Sequence, residues 1–371
     1  MSSSPPFQNP LAADLDHILQ HTKGLWEPLR GQNIFVTGGT GFFGRWLLEG
    51  FVHMNDSLGL GASMVVLSRN PESFVAKAPH LGKHPAISFV RGDVRSFTAT
   101  DVRSRLGSKG PTQFSFVIHA ATESSGNMNA EKPLLLVDTI AQGTRAALDF
   151  AVETGAKRVL FTSSGAVYGS QPSEMTHIPE TYLGGPDPLN PDSAYGEAKR
   201  LAELLCASYQ KQHGLEPLIA RCFAFVGPFL PLDAHFAIGN FIRDALRGGP
   251  IQVNGDGTPY RSYLYAADLA IWLWTILFKG QPSRAYNVGS EDAHTIHDLA
   301  KIVAEICSNA MVHVKERPDP TKSPQRYVPS CQRAAEELGL SHQIALADAI
   351  RRTATFTAND SEKAQNRSVN T

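Results

Sequence analysis

NIFVTGGTGFFG, residues 33–44, runs from a short apolar segment into a turn that carries Gly38, Gly41 and Gly44 at GxxGxxG spacing. RWLLEGFVHM (45–54) follows with apolar residues at helical period. Strand, glycine turn and helix in that order form a cradle for a dinucleotide pyrophosphate. Glycine permits the tight turn, lets the backbone approach the phosphates and lets the helix pack closely on the strand. The helix N-terminus supplies unpaired N–H groups and a partial positive charge. Gly38, Gly41, Phe42, Phe43 and Gly44 are therefore read as cofactor-binding.

The same texture repeats outward. SMVVLS (63–68), AISFV (86–90), FSFVIH (114–119), RVLFT (158–162) and EPLIARC (216–222) are apolar runs of strand length. Helical periods separate them, notably one from Pro133 with Leu135, Ile140, Ala146 and Phe150, and one from Tyr195 to about residue 212. Continuous apolar strands alternating with helices mean a parallel sheet covered on both faces. The expected fold class is α/β: a doubly wound parallel Rossmann sheet with a smaller C-terminal α/β substrate-binding lobe. Residues 1–30 read as an extension with a lead-in helix (Leu11, Leu15, Ile18, Leu19). Residues 31–222 and 258–283 read as the dinucleotide-binding domain, and 223–257 with 284–356 as the lobe. The polar stretch 357–371 reads as a disordered tail.

Composition excludes other classes. The 371 residues carry 34 Lys and Arg against 35 Asp and Glu, a net charge of −1. Without a basic surplus, a nucleic-acid partner is not expected. Cys206, Cys222, Cys307 and Cys331 are far apart with no CxxC pair, so neither a disulfide framework nor a metal site is expected. The start MSSSPPFQNP has no basic n-region or apolar core, and LAIWLWTILF (269–278) is too short to cross a bilayer. The expectation is a cytoplasmic globular protein without a membrane partner.

Three further positions carry chemistry. An acidic residue after the second strand would bind the 2′-hydroxyl of NAD, whereas an Arg there can pair with the 2′-phosphate of NADP. This chain has Ser68 and Arg69 and no Asp or Glu from 63 to 71, which favours NADP. A solvated Arg beside bound NAD is the alternative. Asp93 after the third strand can accept from the adenine amino group, with Val94 beside it, or can be a plain turn residue. The carboxyl ends of parallel strands hold ligands. Ala120 and Ala121 after the fourth strand are read as cofactor contacts, and Thr122 as a substrate contact.

Tyr195-Gly-Glu-Ala-Lys199 places a phenol and an ammonium on one helix face. Tyrosine titrates too high to act as a base at neutral pH, and a neighbouring lysine with a nicotinium ring would favour its phenolate. The bland alternative is an amphipathic helix with an exposed lysine. FTSSGAVYG (161–169) leaves the fifth strand; Ser164 is the better candidate to hold a reacting oxygen, with Ser163 in reserve, and both read as substrate contacts.

TGGTGFFG, SSGAVYG, YGEAK, ARCFAFVGP and GDGTPYRSYLYAADLA occur in this order. Together they resemble extended short-chain dehydrogenases/reductases of the NAD-dependent epimerase/dehydratase family over about residues 31–355. The resemblance implies an NAD(P)-dependent enzyme of nucleotide-diphosphate sugars that works by redox at the sugar 4-position. It implies Ser164, Tyr195 and Lys199 as catalytic residues, Tyr195 and Lys199 also touching the cofactor. Asn240, Arg261 and Arg317 would contact the substrate, the arginines at its diphosphate, and a homodimer would pair the helices near 133–155 and 195–212. Gly165 and Ala166 stand where dehydratases of the family carry Asp-Glu and decarboxylases a Glu, and Ala224 replaces the family's Asn in R-x-F-N. A 4-epimerase is therefore the leading expectation. An NADPH-dependent reductase or dehydrogenase of a keto nucleotide-sugar is the alternative, ahead of a 4,6-dehydratase or decarboxylase.

Overall fold

A computed structural model of the chain describes residues 9–108, 110–122, 131–234 and 236–369. The apolar runs become six strands of one sheet: β1 (Asn33–Thr37), β2 (Ser63–Ser68), β3 (Ile87–Arg91), β4 (Phe116–His119), β5 (Arg158–Ser164) and β6 (Glu216–Cys222). Shorter strands follow: β7 (Phe225–Val226), β8 (Ile251–Val253), β9 (Tyr260–Arg261), β10 (Leu264–Tyr265), β11 (Ala285–Val288), β12 (His294–Thr295), β13 (Val312–Val314) and β14 (Arg326–Tyr327). The central order is β11-β6-β5-β4-β1-β2-β3, every pairing parallel. The order reverses between β1 and β4, so their carboxyl ends splay and open a crevice at the switch point.

Each face is sealed by helices, which is why the strands are apolar on both sides. On one face Phe35 stacks on Phe150 at 4.0 Å and lies 5.3 Å from Phe97. On the other, Trp46, Phe51 and the almost wholly buried helix Ala266–Lys279 form the core. The lead-in helix, Ala12–His21, docks here through Leu15 and Ile18.

Two expectations are corrected. Residues 285–288, assigned to the lobe, form the edge strand of the central sheet beside β6. Residues 357–369, assigned to a disordered tail, continue the helix Leu346–Val369; residues 370–371 lie outside the described residues. The polarity of this stretch argued for disorder, but Ala358, Glu362, Lys363, Ala364, Gln365 and Arg367 are good helix formers. Phe356 anchors the preceding turn on Phe229, ring centroids 4.9 Å apart. Residues 1–8, the Ser/Pro-rich start, lie outside the described residues. No helix among the described residues is long and apolar enough to cross a membrane.

Candidate active site

The crevice is built by glycine. The helix Phe42–Leu58 starts at an N-cap, Gly41, that has no side chain to satisfy the first-turn amides. Those amides and the helix dipole face the crevice, as a pyrophosphate requires. Gly38 has φ of +76°, and a Cβ there would collide with the Ala120 carbonyl; one on Gly44 would collide with the Gly38 carbonyl. β1, β4 and the helix thus approach closely only because these positions lack side chains. Gly38, Gly41, Ser68, Arg69, Asp93, Val94, Ala120, Ala121 and Thr122 all line one cavity of about 440 Å³. Phe42 and Phe43 turn their rings into the core, Phe43 edge-on to Phe225 at 5.0 Å. What they can offer a phosphate is their backbone N–H groups.

Asp93 is held by Arg95, whose guanidinium donates to both carboxylate oxygens at 3.0 and 2.7 Å. That pairing pulls the carboxyl down to about 2, so Asp93 is an acceptor at any physiological pH. His119, at the end of β4, is buried with Nδ1 2.7 Å from Thr37 Oγ1 and Nε2 3.2 Å from Thr144 Oγ1. Burial lowers it to about 3, and it serves as a neutral strut. His177 lies with Nε2 2.9 Å from the Glu291 carbonyl oxygen, and His235 lies outside the described residues.

Ser164 is the last residue of β5, and its Oγ accepts from the Ala166 N–H at 3.1 Å. Tyr195 and Lys199 lie one turn apart in the helix Ala194–His213, and Lys199 is 1% exposed. The Lys199 ammonium donates to Thr122 Oγ1 at 2.8 Å and to the Thr162 carbonyl at 2.7 Å. It lies 4.8 Å from the Phe161 ring centroid and 5.8 Å from that of Tyr195. Ser164 lies beside the Tyr195 phenol and favours its charged form. The serine, phenol and ammonium therefore meet at the carboxyl edge, and the bland reading of an exposed lysine is wrong.

In the protein without its cofactor, burial pushes the Tyr195 phenol up to about 12, opposed by Ser164. Burial also pulls Lys199 down to about 8. Both groups resist charge in the protein alone, and a cationic ring bound beside them would tip the phenol toward phenolate.

Ser163 does not share this face. Successive residues of a strand point to opposite sides, and its Oγ donates to Glu203 at 2.6 Å. Glu203 is held by Arg221 at 3.0 and 2.7 Å, Arg221 donates to Tyr168 Oη at 3.0 Å, and Tyr168 donates to Asn287 Oδ1 at 2.7 Å. That buried network fixes β5, β6 and β11, and Ser163 belongs to it. Arg261 lies in β9, opposite Tyr327 of β14. Arg317 is exposed in the loop after β13, whereas Arg326 stacks its guanidinium 4.1 Å from the Tyr260 ring centroid. Asn240 accepts from Arg243 at 3.0 Å on the helix Ala237–Leu246.

Tyr327 and Phe223 were not foreseen. A Cβ on Gly165 would lie 2.7 Å from Phe223 Cζ and 2.8 Å from Tyr327 Oη. The missing side chain at 165, read only as a lost acid/base group, was the signal that something else occupies that place. Among the described residues no cluster of His, Cys, Asp and Glu forms a metal site.

Comparison with known proteins agrees with this geometry. Residues 34–289 match the NAD dependent epimerase/dehydratase family. UDP-glucuronic acid decarboxylase 3 of Arabidopsis thaliana is 30% identical over 321 residues, covering 85% of this chain and 86% of the relative. UDP-glucuronic acid decarboxylase 1 of Danio rerio is 27% identical, covering 90% and 75%. UDP-glucose 4-epimerase of Thermotoga maritima, solved with UDP-glucose, superposes with a TM-score of 0.73 at 22% identity, covering 88% of this chain and 99% of that one. dTDP-glucose 4,6-dehydratase of Streptomyces venezuelae, solved with NAD, gives 0.73 at 24% identity, covering 88% and 97%. The crevice fits a dinucleotide and the family match spans most of the sheet: the chain belongs to the NAD dependent epimerase/dehydratase family and is an NAD(P)-dependent enzyme.

Proposed function

We propose that the protein is a nucleotide-sugar 4-epimerase acting on a nucleoside diphosphate hexose. The observation that carries this reading is the pairing of a complete Ser164–Tyr195–Lys199 set with the absence of an acid or base at Gly165 and Ala166. Tyr195, as phenolate, takes the proton from the sugar 4-hydroxyl while Ser164 holds the same oxygen. NAD(P)+ held in the crevice over Gly38 and Gly41 would supply the acceptor for the hydride on that carbon. Lys199 keeps positive charge near the phenolate. Eliminating water across carbons 5 and 6 needs an acid and a base over the sugar's far end, where this chain offers Phe223 and the neutral phenol of Tyr327. The 4-ketone therefore has no exit by elimination, and return of hydride to the opposite face of the ketone inverts the centre.

The relatives named as UDP-glucuronic acid decarboxylases favour a second reading. A 4-keto uronate is a β-keto acid, and it can lose carbon dioxide with no more help than hydrogen bonds to the ketone oxygen. Incubation with UDP-glucose, UDP-galactose, dTDP-glucose and UDP-glucuronate, read by mass spectrometry, separates the two. An isomer of unchanged mass is expected; a product lighter by carbon dioxide makes the enzyme a decarboxylase, and stoichiometric NADPH consumption makes it a reductase.

Two finer points go with this reading. Ser68 and Arg69 line the adenine end of the crevice, and NADP is proposed as the preferred cofactor. Arg69→Asp is expected to weaken NADP+ at least tenfold relative to NAD+ in fluorescence titrations; an unchanged ratio removes the preference. The packed helices Pro133–Thr154 and Ala194–His213 expose Leu134 (81%) and Leu204 (62%), a face suited to a second copy. Leu204→Glu is expected to convert a dimer to a monomer in sedimentation velocity. A wild type that sediments as a monomer ends the proposal.

A further inference from the structure

Lys199 is a buried ammonium with few groups to hold it. It is 1% exposed, and its proton acceptors among the described residues are two. The Thr162 carbonyl, at 2.7 Å, belongs to β5 and is fixed by the sheet. Thr122 Oγ1, at 2.8 Å, is the one side-chain acceptor, reaching Lys199 across 77 positions of the chain. A buried charge with so few partners is costly to keep. Burial already pulls Lys199 down to about 8, which brings the loss of its charge close to neutral pH.

The Thr122 hydroxyl is oriented for this contact. A threonine hydroxyl has one proton and two acceptor sites. The Thr122 proton goes to the Ala121 carbonyl at 2.8 Å, so lone pairs are left for the ammonium. The backbone leading to it is also fixed. The Ala120 N–H donates to the Thr37 carbonyl at 3.0 Å, and Ala120 packs against Gly38 so closely that a Cβ on that glycine would collide with it. The glycine turn therefore sets where Thr122 leaves β4. An ammonium has three protons; Thr122 and Thr162 take two, and one remains for the reacting groups. Thr122 itself has no proton left for a sugar oxygen, which weakens its reading as a substrate contact.

We infer that Thr122 is a positioning residue for Lys199: its Oγ1 accepts from the ammonium, holds it at the carboxyl edge in its charged form and so extends catalysis to higher pH. This rests on the reading of Lys199 as the cation behind the Tyr195 phenolate. An acceptor bonded to the charged form favours that form and raises the lysine pKa, so removing the oxygen lowers it. The titratable groups facing Lys199 are Tyr195, Glu203 and Cys206 on its own helix, Cys222 on β6 and His119 on β4. Thr122→Val alters none of them and keeps the side chain's shape.

The test reads Lys199 directly. In NAD+-saturated enzyme labelled with 13Cε-lysine, the Lys199 signal is assigned by its absence from Lys199→Met and followed with pH. Thr122→Val is expected to lower the Lys199 midpoint by about one unit, the size of a hydrogen bond to a charged group. Thr122→Ser, which keeps the oxygen, should stay within about a third of a unit of wild type. The basic limb of the kcat–pH profile of Thr122→Val should move down by the same amount as its midpoint. Its kcat is then about fivefold lower at the wild-type midpoint and nearly unchanged about two units below it, with KM within about twofold. An unmoved Lys199 midpoint in Thr122→Val overturns the inference, as does a shift of equal size in Thr122→Ser. A raised KM with unmoved limbs makes Thr122 a substrate contact and overturns it as well. Should wild type turn over no nucleotide-sugar while the midpoint still falls in Thr122→Val, the proposed function fails and the role of Thr122 stands.

Discussion

Tyr195→Phe should lower kcat by about a thousandfold, within the range for loss of a general base, and leave KM within a fewfold. Ser164 lies beside Tyr195, but an alcohol is a far weaker base than a phenolate. Lys199 becomes neutral only above about pH 8, and its nitrogen is held by Thr122 and the Thr162 carbonyl. Cys222, opposite Ser164 in the sheet register, is raised to about 12 by burial and stays a thiol. No described neighbour is placed to take the 4-hydroxyl proton in Tyr195's absence. Loss of one buried hydrogen bond costs about 1 kcal/mol of stability, so the variant should still fold and bind cofactor. The measurement is a single-turnover trace of nicotinamide absorbance after mixing with substrate. A rate within tenfold of wild type would mean that the base is another group.

How far the sequence reached follows from the range of each signal. Gly38, Gly41 and Gly44 were legible because a tight phosphate turn constrains the backbone locally, and the structure shows the collisions that forbid a side chain at Gly38 and Gly44. The strands were legible because burial on both faces leaves a continuous apolar run. Tyr195 and Lys199 share a face by helix geometry alone. Their surroundings were not legible: the burial that raises Tyr195 and lowers Lys199 comes from β5, β6 and the helix Pro133–Thr154 packed against theirs. Tyr327 was invisible for the same reason, being 163 positions from Ser164 in the chain. Nothing local marks a tyrosine in SPQRYVPS as an active-site group; only the pairing of β14 with β9 brings it there. Ser163 was misplaced by one strand position, which turns a side chain to the opposite face. The final helix was missed because polarity was weighed above helix propensity.

Lys199→Met should stabilise the protein while it disables the enzyme. Lys199 is fully buried, and no carboxylate among the described residues pairs with its ammonium. Its pKa falls from 10.5 to about 8, with burial the largest cause. At 1.36 kcal/mol per unit, holding that charge in the fold at neutral pH costs about 3 kcal/mol. Methionine fills similar volume without charge. It forfeits the bonds to Thr122 and the Thr162 carbonyl, about 1 kcal/mol each. The net gain expected at pH 7 is about 1–2 kcal/mol, read as a higher urea midpoint at unchanged slope. The pH dependence has a definite sign. Between pH 8 and 10.5 the unfolded chain keeps the lysine proton and the folded one releases it, so wild-type stability gains relative to the variant as pH rises. The advantage of Lys199→Met should therefore shrink above pH 8, while kcat stays at least a hundredfold down throughout because the phenolate has lost its cation. A variant less stable than wild type at pH 7 would mean that the ammonium is compensated in the fold. A buried charge kept at such a cost is better explained by chemistry at Tyr195 than by packing, since packing alone would be served by an apolar side chain.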